Sequence, residues 1–193
     1  MRLFVAAYPP PEVCDDLGLR LEQLKVTAAA SNGVNTRLAR RETWHVTLAF
    51  LGEVPDDRAG DVPGTLQRVA DGWRTAGSAA PQLRLAGGGR FGRGRYTVLW
   101  VGVDGDRDAL TSLSRRVRRE LKRDRLPFDD RRFNPHLTVA RPGDRLAPAE
   151  VEADRAELAG YRGPAWRVKT MVLVRSHLGP TPRYEHLGAW PLD

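Results

Sequence analysis

Cysteine is nearly absent: Cys14 is the only one in 193 residues, so no disulfide can form within the chain and no Cys-rich zinc site can be assembled. That usage fits a reducing compartment, and a cytoplasmic protein is the expectation. Long apolar runs are missing too. The stretch from Leu3 to Tyr8 meets Pro9, Pro10 and Pro11, which is too short for a secretory signal. No segment approaches the roughly 18–20 apolar residues that span a bilayer, so a soluble chain with no membrane partner is expected. Histidine is scarce, with four residues, which makes any repeated histidine context informative.

Basic residues are abundant. The chain carries 31 Lys and Arg against 24 Asp and Glu, a net charge of +7 and a pI near 10.3, and such a surface attracts polyanions. Arginine dominates over lysine in an Ala- and Gly-rich sequence, a bias that base composition also produces, so the charge alone does not name a ligand. A hydrophobic content of 41% is enough for a core, and no linker separates independent units, so residues 1–193 are expected to form one domain built of two lobes.

Periodicity predicts mixed elements. Leu3 to Tyr8 reads as a strand ended by prolines. From Glu12 to Lys25, Val13, Leu17, Leu21 and Leu24 recur at helical spacing, with Cys14 beside them as a packing residue. Val34 to Leu38 reads as a second strand, and Trp44 to Leu51 alternates, with His45, Thr47 and Ala49 on one face and Val46, Leu48 and Phe50 on the other. Val62 to Trp73 is helical in pattern. Leu83 to Ala86 and Thr97 to Val103 read as antiparallel strands around a flexible loop, Gly87 to Gly94, for which an independent RNA-binding tract is the alternative. Asp106 to Lys122 is the clearest helix, its Arg-rich face read as solvated, with phosphate contact as the sharper reading. Asn134 to Arg141 repeats the alternating pattern. A helix from Pro148 to Leu158, a strand from Trp166 to Val174, a turn at Gly179 to Pro182 and a strand from Glu185 to Trp190 complete the chain. Adjacent strand pairs among helices argue for an α+β fold with largely antiparallel sheets.

Two of the histidines stand in matching contexts, Trp44-His45-Val46-Thr47-Leu48-Ala49 and Pro135-His136-Leu137-Thr138-Val139-Ala140. On a strand, residues two apart share a face, so each copy presents an imidazole beside a hydroxyl. One His-x-Thr is ordinary strand composition; two copies suggest similar lobes facing each other across a cleft. Two histidines on opposite walls suit phosphoester cleavage, one as base toward the nucleophile and one as acid toward the departing oxygen. The hydroxyls of Thr47 and Thr138 can hold the non-bridging oxygens. Arg141 falls on the opposite face of a regular strand and reaches the same phosphate only if the strand ends or bulges there. His177 and His186 lack the pattern and read as surface or structural groups.

At these residues the sequence resembles the two-histidine (2H) phosphoesterase superfamily, and within it the LigT-like RNA 2',3'-cyclic phosphodiesterases, formerly called 2'-5' RNA ligases. The likeness extends to Arg2-Leu3-Phe4-Val5-Ala6, Phe50-Leu51-Gly52-Glu53, Phe133-Asn134-Pro135 and Arg175-Ser176-His177-Leu178-Gly179-Pro180, nearly the whole chain. It implies a bilobal fold of two related, mostly antiparallel β-sheet lobes with outer helices and a central cleft. It further implies that His45 donates a proton to the leaving 3' oxygen, that His136 activates water to give a 2'-phosphate, that Thr47 and Thr138 bind the phosphate, and that Arg141 contacts it. No cofactor and no metal are expected, and the partner is RNA or a nucleotide with a 2',3'-cyclic phosphate, met by a monomer. Activity on 2'-5' linked oligonucleotides or small cyclic nucleotides, a non-catalytic RNA-binding module, and a His-ligated metal site are the competing readings. The last is the weakest, since threonine is not the expected second ligand.

Overall fold

The computed structural model describes residues 1–179 and 183–193; Pro180, Thr181 and Pro182, which belong to the expected turn and closing segment, lie outside them. The elements run β1 (Arg2–Ala7), α1 (Pro11–Leu21), α2 (Lys25–Ser31), β2 (Val46–Glu53), α3 (Asp56–Ala59), α4 (Val62–Thr75), β3 (Gln82–Phe91), β4 (Val98–Gly105), α5 (Arg107–Arg123), β5 (His136–Ala140), α6 (Pro148–Ala159), β6 (Arg162–Arg167), β7 (Thr170–His177) and β8 (Arg183–Pro191). Among the described residues they form two four-stranded sheets, ordered β2-β1-β7-β8 and β5-β4-β3-β6, with every pairing antiparallel. The expected α+β, bilobal architecture is the one observed.

The strands bury one face more deeply than the other, and the sequence pattern shows why. In β1, Leu3, Val5 and Ala7 enter a core shared by both sheets, while Phe4 and Ala6 join Val172 and Val174 in a small cluster on the opposite face. A strand covered on both faces reads as a continuous apolar run. The shared core also holds Leu85, Val101 and Leu137 of the second sheet, so the two lobes exclude water together. Helices cover its outer side: α5 lies on β2 and against α4, while α1 packs on β6 and α6 on β3. Cys14 is buried in this core with Val13, Leu17 and Leu21, as a packing residue.

Several expected elements differ. The first helix ends at Leu21, and Leu24, buried, leads into a separate helix α2. The amide groups of Lys25 and Val26 that start α2 donate to the Asp154 carboxylate at 2.6 and 2.8 Å. A carboxylate from α6 thereby caps a helix that no local residue caps. The expected strand at Val34 to Leu38 is reduced to one bridge, Leu38 with Ala140. The apolar stretch from Trp166 to Val174 is two strands: β6 belongs to the second sheet and β7 to the first, with the buried Val168 and the exposed Lys169 as the link between them.

The glycine-rich loop is also corrected. Gly87, Gly88 and Gly89 lie within β3, and a side chain at Gly89 would overlap the Trp100 ring. Glycine there lets the indole of β4 lie flat over its neighbour strand. The α5 arginines behave largely as a solvated, locally paired face: Arg119 and Arg123 reach Glu120 and Arg118 donates to the Arg131 carbonyl.

Both His-x-Thr strands bulge at the same place. Opposite β1 the register skips from Thr47 to Ala49, and opposite β4 it skips from Thr138 to Ala140. A bulge inverts the alternation that follows it. Ala49 and Ala140 accordingly point into the shared core with Leu48 and Val139, which corrects the expectation that Ala49 shares a face with His45. Phe50 is returned to the cleft face, where it packs on the Phe4 cluster. The carbonyl of Leu48, skipped by the ladder, accepts from the buried Ser114 hydroxyl of α5 at 2.6 Å. Ser114→Ala leaves that carbonyl unpaired, and we expect it to lower stability by about 1–3 kcal/mol; a shift in the urea midpoint at unchanged slope is the readout.

The lobes are stitched reciprocally. The Ala39 amide, in the segment before β2, donates to the Val139 carbonyl at 2.7 Å, and the Asp129 amide, before β5, donates to the Phe50 carbonyl at 2.7 Å. Each histidine strand is thus held by the chain leading to the other.

Candidate active site

His45 immediately precedes β2 and His136 opens β5. The residue before each, Trp44 or Pro135, is buried, so each strand is anchored just where its imidazole emerges. The Nδ1 atoms are held identically: that of His45 lies 2.7 Å from the Thr43 carbonyl and that of His136 2.7 Å from the Asn134 carbonyl. A carbonyl only accepts, so Nδ1 carries the proton in both rings and Nε2 is the atom left for chemistry. Thr47 and Thr138 lie two residues on, half-buried like the histidines, on the faces their strands share with them.

Aromatic rings wall both imidazoles. Phe4 stacks on His45 with centroids 4.7 Å apart, while Tyr184 meets it edge-on at 5.4 Å and Tyr8 lies at 5.7 Å. On the other wall Phe91 meets His136 edge-on at 4.8 Å and Trp100 lies at 5.9 Å. This enclosure favours the neutral imidazole. Burial is the main cause that pushes His45 down to about 4, outweighing its bond to Thr43, and the positive charges of His136, Arg141 and His186 add to it. His136 is lowered by the same desolvation and by Arg141, against its bond to Asn134. Burial also raises the Tyr8 phenol, with Tyr184 adding to the shift. The Tyr8 hydroxyl has no hydrogen-bond partner among the described residues.

The influence of Arg141 on both imidazoles follows from the bulge. After Thr138 the register slips, Ala140 turns into the core, and the next side chain is returned toward the cleft. Its backbone is tied by the Arg141 amide to the Arg37 carbonyl at 3.2 Å. The condition on which Arg141 could join the site is therefore met, and the guanidinium itself is exposed. Phe50 occupies the corresponding place after the first motif, with the Arg2 guanidinium 4.9 Å above its ring.

A model of the 2'-5' RNA ligase superfamily matches residues 9–180. The chain belongs to that superfamily. Among curated relatives, one from Geobacillus stearothermophilus named RNA 2',3'-cyclic phosphodiesterase is 37% identical over 152 residues, 78% of this chain and 46% of that protein. The match thus spans about half of that relative's length. One of the same name from Aeropyrum pernix is 32% identical over 162 residues, 81% of this chain and 88% of its own. The crystal structure of TT0787 of Thermus thermophilus superposes at a TM-score of 0.72 with 26% identity, covering 100% of this chain and 98% of that one.

Within this superfamily fold, five residues singled out by sequence, His45, Thr47, His136, Thr138 and Arg141, fall on the two bulged strands and their exits. His177 is a surface residue, its Nε2 2.8 Å from a Glu185 carboxylate oxygen. His186 is exposed on β8, in keeping with a surface or structural reading; β8 pairs it with Val174, and its ring lies 4.7 Å from that of Tyr8. Sequence reasoning missed Tyr8, Tyr184, Phe91 and Trp100. Tyr8 and Tyr184 come to the same imidazole only because β7 pairs with both β1 and β8 and so joins them in one sheet, while the alternation of β4 could have marked Trp100. Among the described residues no group of three or more His, Cys, Asp or Glu comes together as a metal site, and no helix is long and apolar enough to cross a membrane.

Proposed function

We propose that the chain, acting as one bilobal unit over residues 1–193, hydrolyses RNA or nucleotide 2',3'-cyclic phosphates to 2'-phosphomonoesters by metal-independent acid–base catalysis. The observation that carries this reading is the matched pair of imidazoles, each with Nδ1 on a carbonyl two residues back, which leaves Nε2 as the atom for proton transfer. The names of the Geobacillus and Aeropyrum relatives support the same substrate. His136 Nε2 takes a proton from water as its oxygen attacks phosphorus. The bond from phosphorus to O3' breaks opposite, and His45 Nε2–H gives its proton to the departing oxygen. Thr47 and Thr138 donate to the non-bridging oxygens and the Arg141 guanidinium neutralises the charge gathering there. His136 ends protonated and His45 neutral, and exchange with solvent resets both. A cytoplasmic monomer is part of the proposal, in keeping with the lone buried Cys14.

The test is release of a 2'-phosphomonoester from a nucleoside 2',3'-cyclic phosphate with EDTA present. Turnover under those conditions supports the reading; loss of turnover on chelation restored by a divalent cation overturns its metal-free part, and preference for 2'-5' linked oligonucleotides would change the substrate.

The pH dependence follows from the two lowered imidazoles. His136 must be neutral, so activity falls as pH drops through its value; His45 must be protonated, so activity falls as pH rises through its own. Both free-enzyme values lie below the ordinary 6.5, His45 near 4. We expect a bell-shaped kcat/KM profile with its maximum below pH 6.5. The kcat profile is expected at higher pH, because a bound phosphate anion raises both values. A kcat/KM optimum well above neutrality would contradict the assignment.

A further inference from the structure

We infer that the tip of the β3–β4 hairpin, residues 90–96, is a binding site for the single-stranded RNA that precedes the cyclic phosphate end. The inference rests on the reading of the cleft as an RNA end-processing site and assigns it a second, non-catalytic region. An end held between His45 and His136 has a chain attached to it, and that chain must leave over one wall. Phe91, at the start of the tip, touches His136 edge-on at 4.8 Å and Trp100 at 5.2 Å, so the wall beside His136 runs without interruption into the hairpin tip.

The tip has the chemistry of a single-strand platform, aromatic faces among fixed cations. Phe91 is 37% and Tyr96 66% exposed, which is unusual for large rings that could have been turned inward. Residues 84–103 contain Arg84, Arg90, Arg93 and Arg95 and no acidic residue. Arg90 is already engaged, 4.0 Å from a Glu152 carboxylate oxygen and donating to the Gly92 carbonyl at 2.7 Å, whereas Arg93 is exposed at the tip. Arg95 lies 4.8 Å over the Tyr96 ring and donates to its hydroxyl at 2.6 Å, holding ring and charge as one surface. A polyanion complements this segment; an apolar or basic partner does not.

The tip is also braced against the catalytic loop. Gly143, two residues after Arg141, has φ +62, and a Cβ there would come within 3.1 Å of the Arg95 carbonyl. Only glycine adopts that backbone readily at so close an approach. The Arg95 and Tyr96 platform is therefore set at a fixed distance from the loop that begins with Arg141. RNA laid on it is held in register with the phosphate in the cleft.

The experiment compares adenosine 2',3'-cyclic phosphate with a decaribonucleotide bearing the same cyclic end, in the wild type and in the variants Tyr96→Ala, Arg93→Gln and Arg95→Gln. The wild type should favour the oligonucleotide. Each variant should lose that advantage, about tenfold in kcat/KM for Tyr96→Ala through KM, with turnover of the mononucleotide unchanged. The salt dependence of log KM for the oligonucleotide should flatten by roughly 0.7 per arginine removed. Equal use of both substrates by the wild type, or a parallel loss on both in the variants, overturns the inference while leaving the catalytic reading intact. If neither substrate is turned over, the catalytic reading fails. Fluorescence anisotropy of a labelled decaribonucleotide ending in a 2'-phosphate then reads the platform alone, and undiminished binding by the triple variant overturns it.

Discussion

His45→Ala and His136→Ala are each expected to lower kcat/KM on a nucleoside 2',3'-cyclic phosphate by about 10²–10⁴-fold, the usual contribution of a positioned acid or base. The double replacement should cost little more than the worse single one, because the two rings serve one proton movement and their losses do not multiply. Both rings are half-buried on strand faces outside the shared core, so the variants should fold, with a circular dichroism spectrum and urea midpoint near those of the parent. His→Gln at either position keeps much of the volume and an amide donor but no titrating nitrogen, and should not restore turnover. Activity of His136→Ala within about tenfold of the wild type would remove the acid–base pair from the mechanism.

Arg141→Ala carries the second large effect, a loss of about 10²–10³-fold in kcat, the scale seen when a preorganised donor to a developing oxyanion is removed. The residue reaches the cleft through the slip opposite β4 that skips Val139, and its charge acts on both imidazoles. Its removal therefore has a second consequence. The two histidines lose a common depressing charge, so both limbs of the kcat/KM profile should move to higher pH, a readout that a merely structural role would not shift. Arg141→Lys should keep the limbs nearer their original positions, since the charge remains. It should recover only part of kcat, since an ammonium cannot make a planar two-pronged contact with phosphate. Unchanged limbs in Arg141→Ala would mean that the guanidinium does not face the pair.

These predictions show which parts of the site were legible. The repeated His-x-Thr was visible because alternation on a strand is a two-residue property, and it identified both faces correctly as far as Thr47 and Thr138. Beyond those residues alternation was misleading. Ala49 reads as a neighbour of His45 on the cleft face, yet it points into the core. The slip depends on how β2 pairs with β1 and on Ser114 of α5 taking the Leu48 carbonyl, neither of which is local. His186 reads as a surface or structural group and is exposed; its approach to Tyr8 is a matter of strand order.

The sequence by itself determined the α+β class, the amphipathic faces of α4 and α5, the burial of Cys14, and the histidine–threonine pairs, because each is written in spacings of two to four residues. Tertiary structure decided the rest. Helix α2 exists where its free amides meet Asp154, more than a hundred residues away in the chain. The apolar run from Trp166 to Val174 divides between two sheets, since hydrophobicity specifies burial and not which sheet provides it. The aromatic walls that enclose both imidazoles are assembled from β1, β3, β4 and β8. Such walls depend on strand order and register, which arise from pairing between distant segments and leave no periodic mark in any one of them.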